Sequence, residues 1–172
     1  LTNAQAKKTG EAHFVERKLY KAFNRAAQLL NQPGAHEVHI LIAGGEYTGQ
    51  MKQGQWTVPA IKNPKGRLVI LGGWNDDWSQ RQPFENMVRL VTAEGRPGPM
   101  LAFTKNGALE RLAISGLLFD ASPSNRYDAR TNSLLIRGSR TYTLLAFRLM
   151  KVDRLVVADN VFINGAQGTV EP

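Results

Sequence analysis

The tetrad Arg67-Leu-Val-Ile70 recurs as Arg89-Leu-Val-Thr92, Arg111-Leu-Ala-Ile114, Ser133-Leu-Leu-Ile136 and Arg154-Leu-Val-Val157. Its first residues stand 22, 22, 22 and 21 apart. A fixed interval of this size marks a solenoid, in which one coil cannot bury its apolar face alone and does so by stacking on the next. The second and fourth positions are apolar in nearly every copy: Leu68/Ile70, Leu90/Thr92, Leu112/Ile114, Leu134/Ile136 and Leu155/Val157. A period of two places them on one face of a strand, and that face is assigned to the interior. The interval therefore predicts one internal file of Leu68, Leu90, Leu112, Leu134 and Leu155. Gly72, Gly116 and Gly138 stand five residues after a tetrad start, and Asp159, followed by Asn160, holds that place in the last coil. Such residues tolerate the left-handed backbone of a corner. The second coil departs from this, with Glu94 at that place and Gly95 one later.

Upstream the period changes. In Phe14 to Leu30, the residues Val15, Leu19, Ala22, Phe23, Ala26, Leu29 and Leu30 follow 3/4 spacing, which predicts an amphipathic helix. Pro33 and Gly34 stop it. Val38, Ile40 and Ile42 then alternate as a strand, and Gly44-Gly45 turns the chain. The chain thus divides into a loosely held polar segment (1–13), a capping helix region (14–34) and stacked coils (35–172).

Two solenoids have repeats near this length. Leu109-x-x-Leu112-x-Ile114 and Val152-x-x-Leu155-x-Val157-x-x-Asn160-x-Phe162 match the leucine-rich repeat. That fold needs an apolar helix or turn on its outer side in every repeat. Ala121 to Ser133 holds Pro123 among Ser and Asn, with no apolar stripe. A parallel β-helix needs only short strands, tight corners and variable loops, and it fits all the coils.

The helix Leu19-Tyr-Lys-Ala-Phe-Asn-Arg-Ala-Ala-Gln-Leu-Leu30 is followed by Val38-His-Ile-Leu-Ile-Ala-Gly-Gly-Glu-Tyr-Thr-Gly49. Together with the corner Leu71-Gly-Gly-Trp-Asn-Asp-Asp-Trp78 and the coils Leu112 to Phe119 and Leu155 to Phe162, this resembles the pectin-lyase-like superfamily, in its bacterial surface or secreted form. The resemblance implies an all-β solenoid, a right-handed parallel β-helix of about six coils, with an N-terminal helix over the first. It does not imply an activity, because the superfamily includes lyases, hydrolases, adhesins and phage tailspikes. Members usually have more coils and a C-terminal cap, whereas this chain stops at Gly168-Thr-Val-Glu-Pro172. The expectation is a longer protein, or another subunit over that end.

Composition changes the picture in three ways. A net charge of +8 and a pI near 10 point to an anionic neighbour, such as an acidic glycan, nucleic acid or surface, or to solubility alone. The absence of cysteine removes disulfides and thiolate chemistry. No apolar run approaches the ~20 residues of a membrane span. The chain begins at Leu1 with no apolar leader core, as a mature or trimmed chain would; a secreted, periplasmic or cell-surface location is what the resemblance implies.

With the leucines inward, Arg67, Arg89, Arg111 and Arg154 point outward as a column, a ladder for carboxylates, sulfates or phosphates. The plain alternative is side chains fanning into water with Glu110 and Asp153 as local partners. Val69, Val91, Ala113, Leu135 and Val156 form an outward apolar row, expected to be covered by the chain or by a partner protein. Trp74 and Trp78 are candidates for stacking on sugars, and Asp76 with Asp77 for Ca²⁺; otherwise they form a structural corner. His36-x-x-His39 is a weak metal signal unsupported by cysteine. No Ser-His-Asp arrangement, P-loop or dinucleotide fingerprint is present. The leading expectation is a non-catalytic scaffold or adhesion module that docks to a partner protein or an anionic glycan, without a required cofactor. The alternative is a lyase or hydrolase of acidic polysaccharide. Nucleic acid is the least supported partner.

Overall fold

The computed structural model describes residues 14–34, 37–49, 54–92, 99–123, 125–128, 133–136, 144–148, 150–163 and 170–171. The expectations for the segment 1–13, Glu94, Gly95 and Gly138 lie outside them.

The helix α1 (Leu19–Leu30) is shorter than the apolar stripe predicts. Its N-cap Lys18 has extended backbone and no side-chain cap, so Val15 stays outside and is 84% exposed. Leu19, Phe23, Ala26, Ala27 and Leu30 are buried. The C-terminus is pinned by side chains: Asn31 Nδ2 donates to the Ala60 carbonyl at 3.0 Å, its Oδ1 accepts from the Lys62 N–H at 2.8 Å, and Asn63 Nδ2 donates to the Leu30 carbonyl at 2.9 Å. Three carbonyl and amide groups near the helix end are thereby satisfied.

The remainder is mostly β, in three parallel sheets. The first joins β1 (Glu37–Ala43), β4 (Lys62–Trp74), β7 (Ala108–Ser115) and β12 (Lys151–Ala158). The second joins β2 (Gly45–Tyr47), β5 (Val88–Val91), β8 (Leu117–Asp120) and β13 (Val161–Ile163). The third joins β3 (Trp56–Val58), β6 (Leu101–Phe103), β11 (Leu145–Phe147) and β14 (Val170–Glu171). The chain visits first, second and third sheet in turn and repeats. One antiparallel pair, β9 (Asn125–Asp128) with β10 (Ser133–Ile136), is inserted between β8 and β11.

This register corrects the single leucine file. Leu68, Leu112 and Leu155 do share a file with Val38 in the first sheet. Leu90 instead pairs with Tyr47 and Phe119 in the second sheet, and Leu134 pairs with Tyr127 in the inserted hairpin. The tetrad at Arg89 belongs to the second sheet because the loop after β4 delays β5, whereas β2 and β8 follow β1 and β7 almost at once. Vertical neighbours in the first sheet are 30, 44 and 43 residues apart, at Glu37, Arg67, Arg111 and Arg154, and in the second 43, 29 and 43, at Glu46, Arg89, Leu118 and Val161.

Inside, Leu68, Ile70, Leu90, Leu112, Ile114 and Phe119 are wholly buried. Phe103 stacks on Phe147 at 5.3 Å and Phe119 on Phe162 at 5.0 Å. Corners follow the expectation at Gly116 (φ 76°) and Asp159 (φ 53°). At Gly72 the reason differs: a Cβ there would lie 2.2 Å from the Gly116 carbonyl oxygen, and the left-handed residue is Gly73. Asn160 completes the last corner, accepting from the Leu117 N–H and donating to the Ile114 carbonyl. The two ends differ. α1 packs on β1, β3 and β4, whereas Leu155 and Val161 of the last strands are 45% and 38% exposed.

Candidate anion-binding face

Glu37, Arg67, Arg111 and Arg154 occupy one register position on the four adjacent strands of the first sheet. Strand spacing sets them about 4.8 Å apart at the backbone. Glu110 and Asp153, each immediately before an arginine, line the same open cleft as Arg67, Arg111 and Arg154, with a volume of about 380 Å³.

The charges are unevenly paired. Arg67 donates to Glu110 Oε1 through Nη2 at 2.7 Å and Nε at 3.0 Å, and its Nη1 lies 3.8 Å from Glu37 Oε2. Its pKa is raised, first by the Glu110 hydrogen bond. Glu37 is held below the usual carboxylate range, chiefly by its hydrogen bond to His39 at 2.5 Å, with Arg67 and Arg111 adding positive charge nearby. Among the described residues no carboxylate lies within 4.0 Å of the Arg111 or Arg154 guanidinium. Like charges stacked in register repel, so these two arginines keep an electrostatic preference for an added anion.

Arg89 is not part of this column. It lies in the second sheet, where Nε and Nη2 contact Asp120 Oδ2 at 3.0 and 2.5 Å and Nη1 contacts Glu46 Oε2 at 2.7 Å. Asp120 is 3% exposed and also accepts the Ser122 N–H at 2.8 Å. Burial pushes its carboxyl up, but the Ser122 and Arg89 hydrogen bonds outweigh that and its pKa is lowered. Arg89 is thus occupied in neutralising a buried acid.

The predicted apolar row is likewise divided. Val69 and Ala113 are neighbours on the outer side of the first sheet, yet only 7% and 6% exposed, flanked by longer side chains. Val156 continues that file and is half-buried. Val91 belongs to the second sheet at 7% exposure, and Leu135 sits in the hairpin, where its side chain is outside the described residues. No five-residue stripe forms among the described residues, because the five copies are divided among the first sheet, the second sheet and the inserted hairpin.

Trp74 ends β4, seven residues or roughly 23 Å along the strand from Arg67. The loop after it is tied by its own polar groups. Asn75 Oδ1 accepts from the Gln80 N–H at 3.1 Å, and Asp77 Oδ1 accepts from the Ser79 N–H at 2.9 Å. Hydrogen bonds from Ser79 lower the Asp77 pKa. Trp78 takes φ 63° in this turn and is 36% exposed. Among the described residues no group of three or more His, Cys, Asp or Glu is placed to hold a metal, so no third residue of those types stands with Asp76 and Asp77. His36 lies outside the described residues.

Three partners escaped the sequence reading. Glu46 and Asp120 hold Arg89, and Arg81 donates to the Gly72 carbonyl at 3.0 Å and to Ser115 Oγ at 2.7 Å, tying the corner loop across two strands. A repeat of 43 exposes the first, since Glu46 and Arg89 are 43 apart, as are Arg67 and Glu110.

The chain matches no family model, no curated protein and no solved structure. Function is therefore argued from the face itself.

Proposed function

We propose that the chain is a right-handed parallel β-helix of the pectin-lyase-like kind, acting as a non-catalytic module that binds an anionic glycan at the cell surface or outside the cell. The observation that carries this reading is the register of Arg67, Arg111 and Arg154 on adjacent strands, the last two without a carboxylate partner among the described residues. Guanidinium groups bind carboxylates and sulfates through paired N–H donors. A polyuronate carries a carboxylate on every sugar, so a chain laid across the strands offers successive anions to successive arginines.

A second reading has one observation in its favour: Glu110 and Asp153 sit in register on adjacent strands of the same cleft, as a pair of catalytic carboxylates does in a glycoside hydrolase. Against it, Glu110 Oε1 receives two arginine N–H groups and is not free to protonate a leaving group.

Calorimetric titration with homogeneous 1,4-linked oligogalacturonides tests both. Binding is expected to weaken with salt, and Arg111→Ala or Arg154→Ala to weaken it about tenfold, or ~1.4 kcal/mol. New reducing ends appearing during incubation would favour the hydrolase; absence of binding, or binding indifferent to both substitutions, would overturn the module.

A further inference from the structure

We infer that Glu110 sets the length of anionic ligand this face accepts, by occupying Arg67 as a built-in competitor. The inference rests on the glycan-binding reading of the same ladder. Glu110 stands 43 residues after Arg67, on the next strand, and caps its Nε and Nη2. Asp153 stands in the equivalent place to Arg111, immediately before Arg154 and in the same cleft. Its side chain is one methylene shorter, about 1.5 Å of reach, and among the described residues it makes no ion pair with Arg111. The exchange of Glu for Asp between successive strands therefore leaves Arg67 closed and Arg111 open, while Arg154, on the outermost described strand, has no carboxylate within 4.0 Å among the described residues.

A ligand carboxylate arriving at Arg111 or Arg154 displaces only water. One arriving at Arg67 must displace a carboxylate tethered to the neighbouring strand, whose effective concentration is high. The face thus counts two acidic units. A third gains nothing, because its arginine is already satisfied.

The test is calorimetric titration of oligogalacturonides of two, three and four units against the wild-type chain, Glu110→Gln, Glu110→Asp and Asp153→Glu. For the wild type, affinity should level off at two units, with less than a twofold gain from two to three. Glu110→Gln and Glu110→Asp should gain about tenfold between two and three units, and the slope of log affinity against log salt should steepen by about one. Asp153→Glu should weaken the two-unit ligand about tenfold by closing Arg111. Circular dichroism melting confirms that each variant is folded. Equal gains at every length in Glu110→Gln, the mark of net charge alone, would sink the inference. So would a wild-type length profile in both Glu110 variants, which would leave the binding reading intact. If no oligomer binds the wild type, the two fall together.

Discussion

Two glycines and two leucines show how far the surroundings of a residue decide the cost of replacing it. A Cβ on Gly116 would meet the Gly72 carbonyl oxygen at 2.6 Å, and the residue also sits at φ 76°. Gly34 has φ 88° but nothing within 4 Å of an added Cβ. Gly34→Ala therefore carries only the left-handed penalty of about 1–2 kcal/mol. Gly116→Ala adds an overpacking cost of about 1–3 kcal/mol to it. Urea denaturation should rank the two in that order; equal losses would mean that the backbone at the corner shifts freely. Leu112 and Leu155 make a second pair. They share a file, but the first is wholly buried and the second is 45% exposed. Leu112→Ala should cost about 2–5 kcal/mol, and Leu155→Ala roughly half of that or less, because part of its surface already faces water.

The element that departs most from the sequence reading is β5. Its arginine faces outward as expected, but into an ion triad with Glu46 and Asp120. Among the described residues, Arg89→Ala leaves the buried Asp120 carboxylate with its Ser122 contacts, at a cost of about 1–3 kcal/mol near neutral pH. The pH dependence follows from the lowered Asp120 pKa. On acidification the unfolded chain takes up the proton first, so this contribution is present above about pH 4 and is lost as pH falls below that. The gap in melting temperature between wild type and Arg89→Ala should therefore be widest near pH 7 and close toward pH 3. A gap unchanged with pH would mean that Asp120 is not the partner that matters. The helix, the in–out alternation and the Gly116 and Asp159 corners were legible locally, because period and backbone tolerance are properties of short segments. The vertical order was not. The 22-residue interval is the louder signal, since two sheets repeat the same tetrad, and it conceals the true stack. The stack itself is written elsewhere, in Leu101-Ala-Phe103 and Leu145-Ala-Phe147, identical tripeptides that pair directly. The tetrad at Ser133 misleads for another reason: its strand is claimed by a hairpin partner, β9, rather than by the stack.

At the scale of the whole molecule the two ends are energetically unequal, and the arginine column lies along the gradient. In a stacked array each rung is stabilised by its neighbours. β4 and β7 have a strand on either side and the core beneath them. β12 has one strand neighbour in the first sheet, and every residue along it is exposed or half-buried. Local opening draws on such under-packed segments. Hydrogen exchange followed by mass spectrometry should thus find residues 151–163 exchanging faster than 62–74 and 108–115, with β12 opening well below the global unfolding free energy. Arg154 belongs to that least protected strand, whereas Arg111 stands on a well-packed one. A ligand that bridges the two arginines ties the loose strand to the firm one, so adding an oligogalacturonide should slow exchange in β12 far more than in β4. Protection spread evenly over the molecule would indicate general electrostatic adsorption. Protection confined to β12 and β7 would place the ligand across the two open arginines, with the strand most free to open serving as the far jaw of the site.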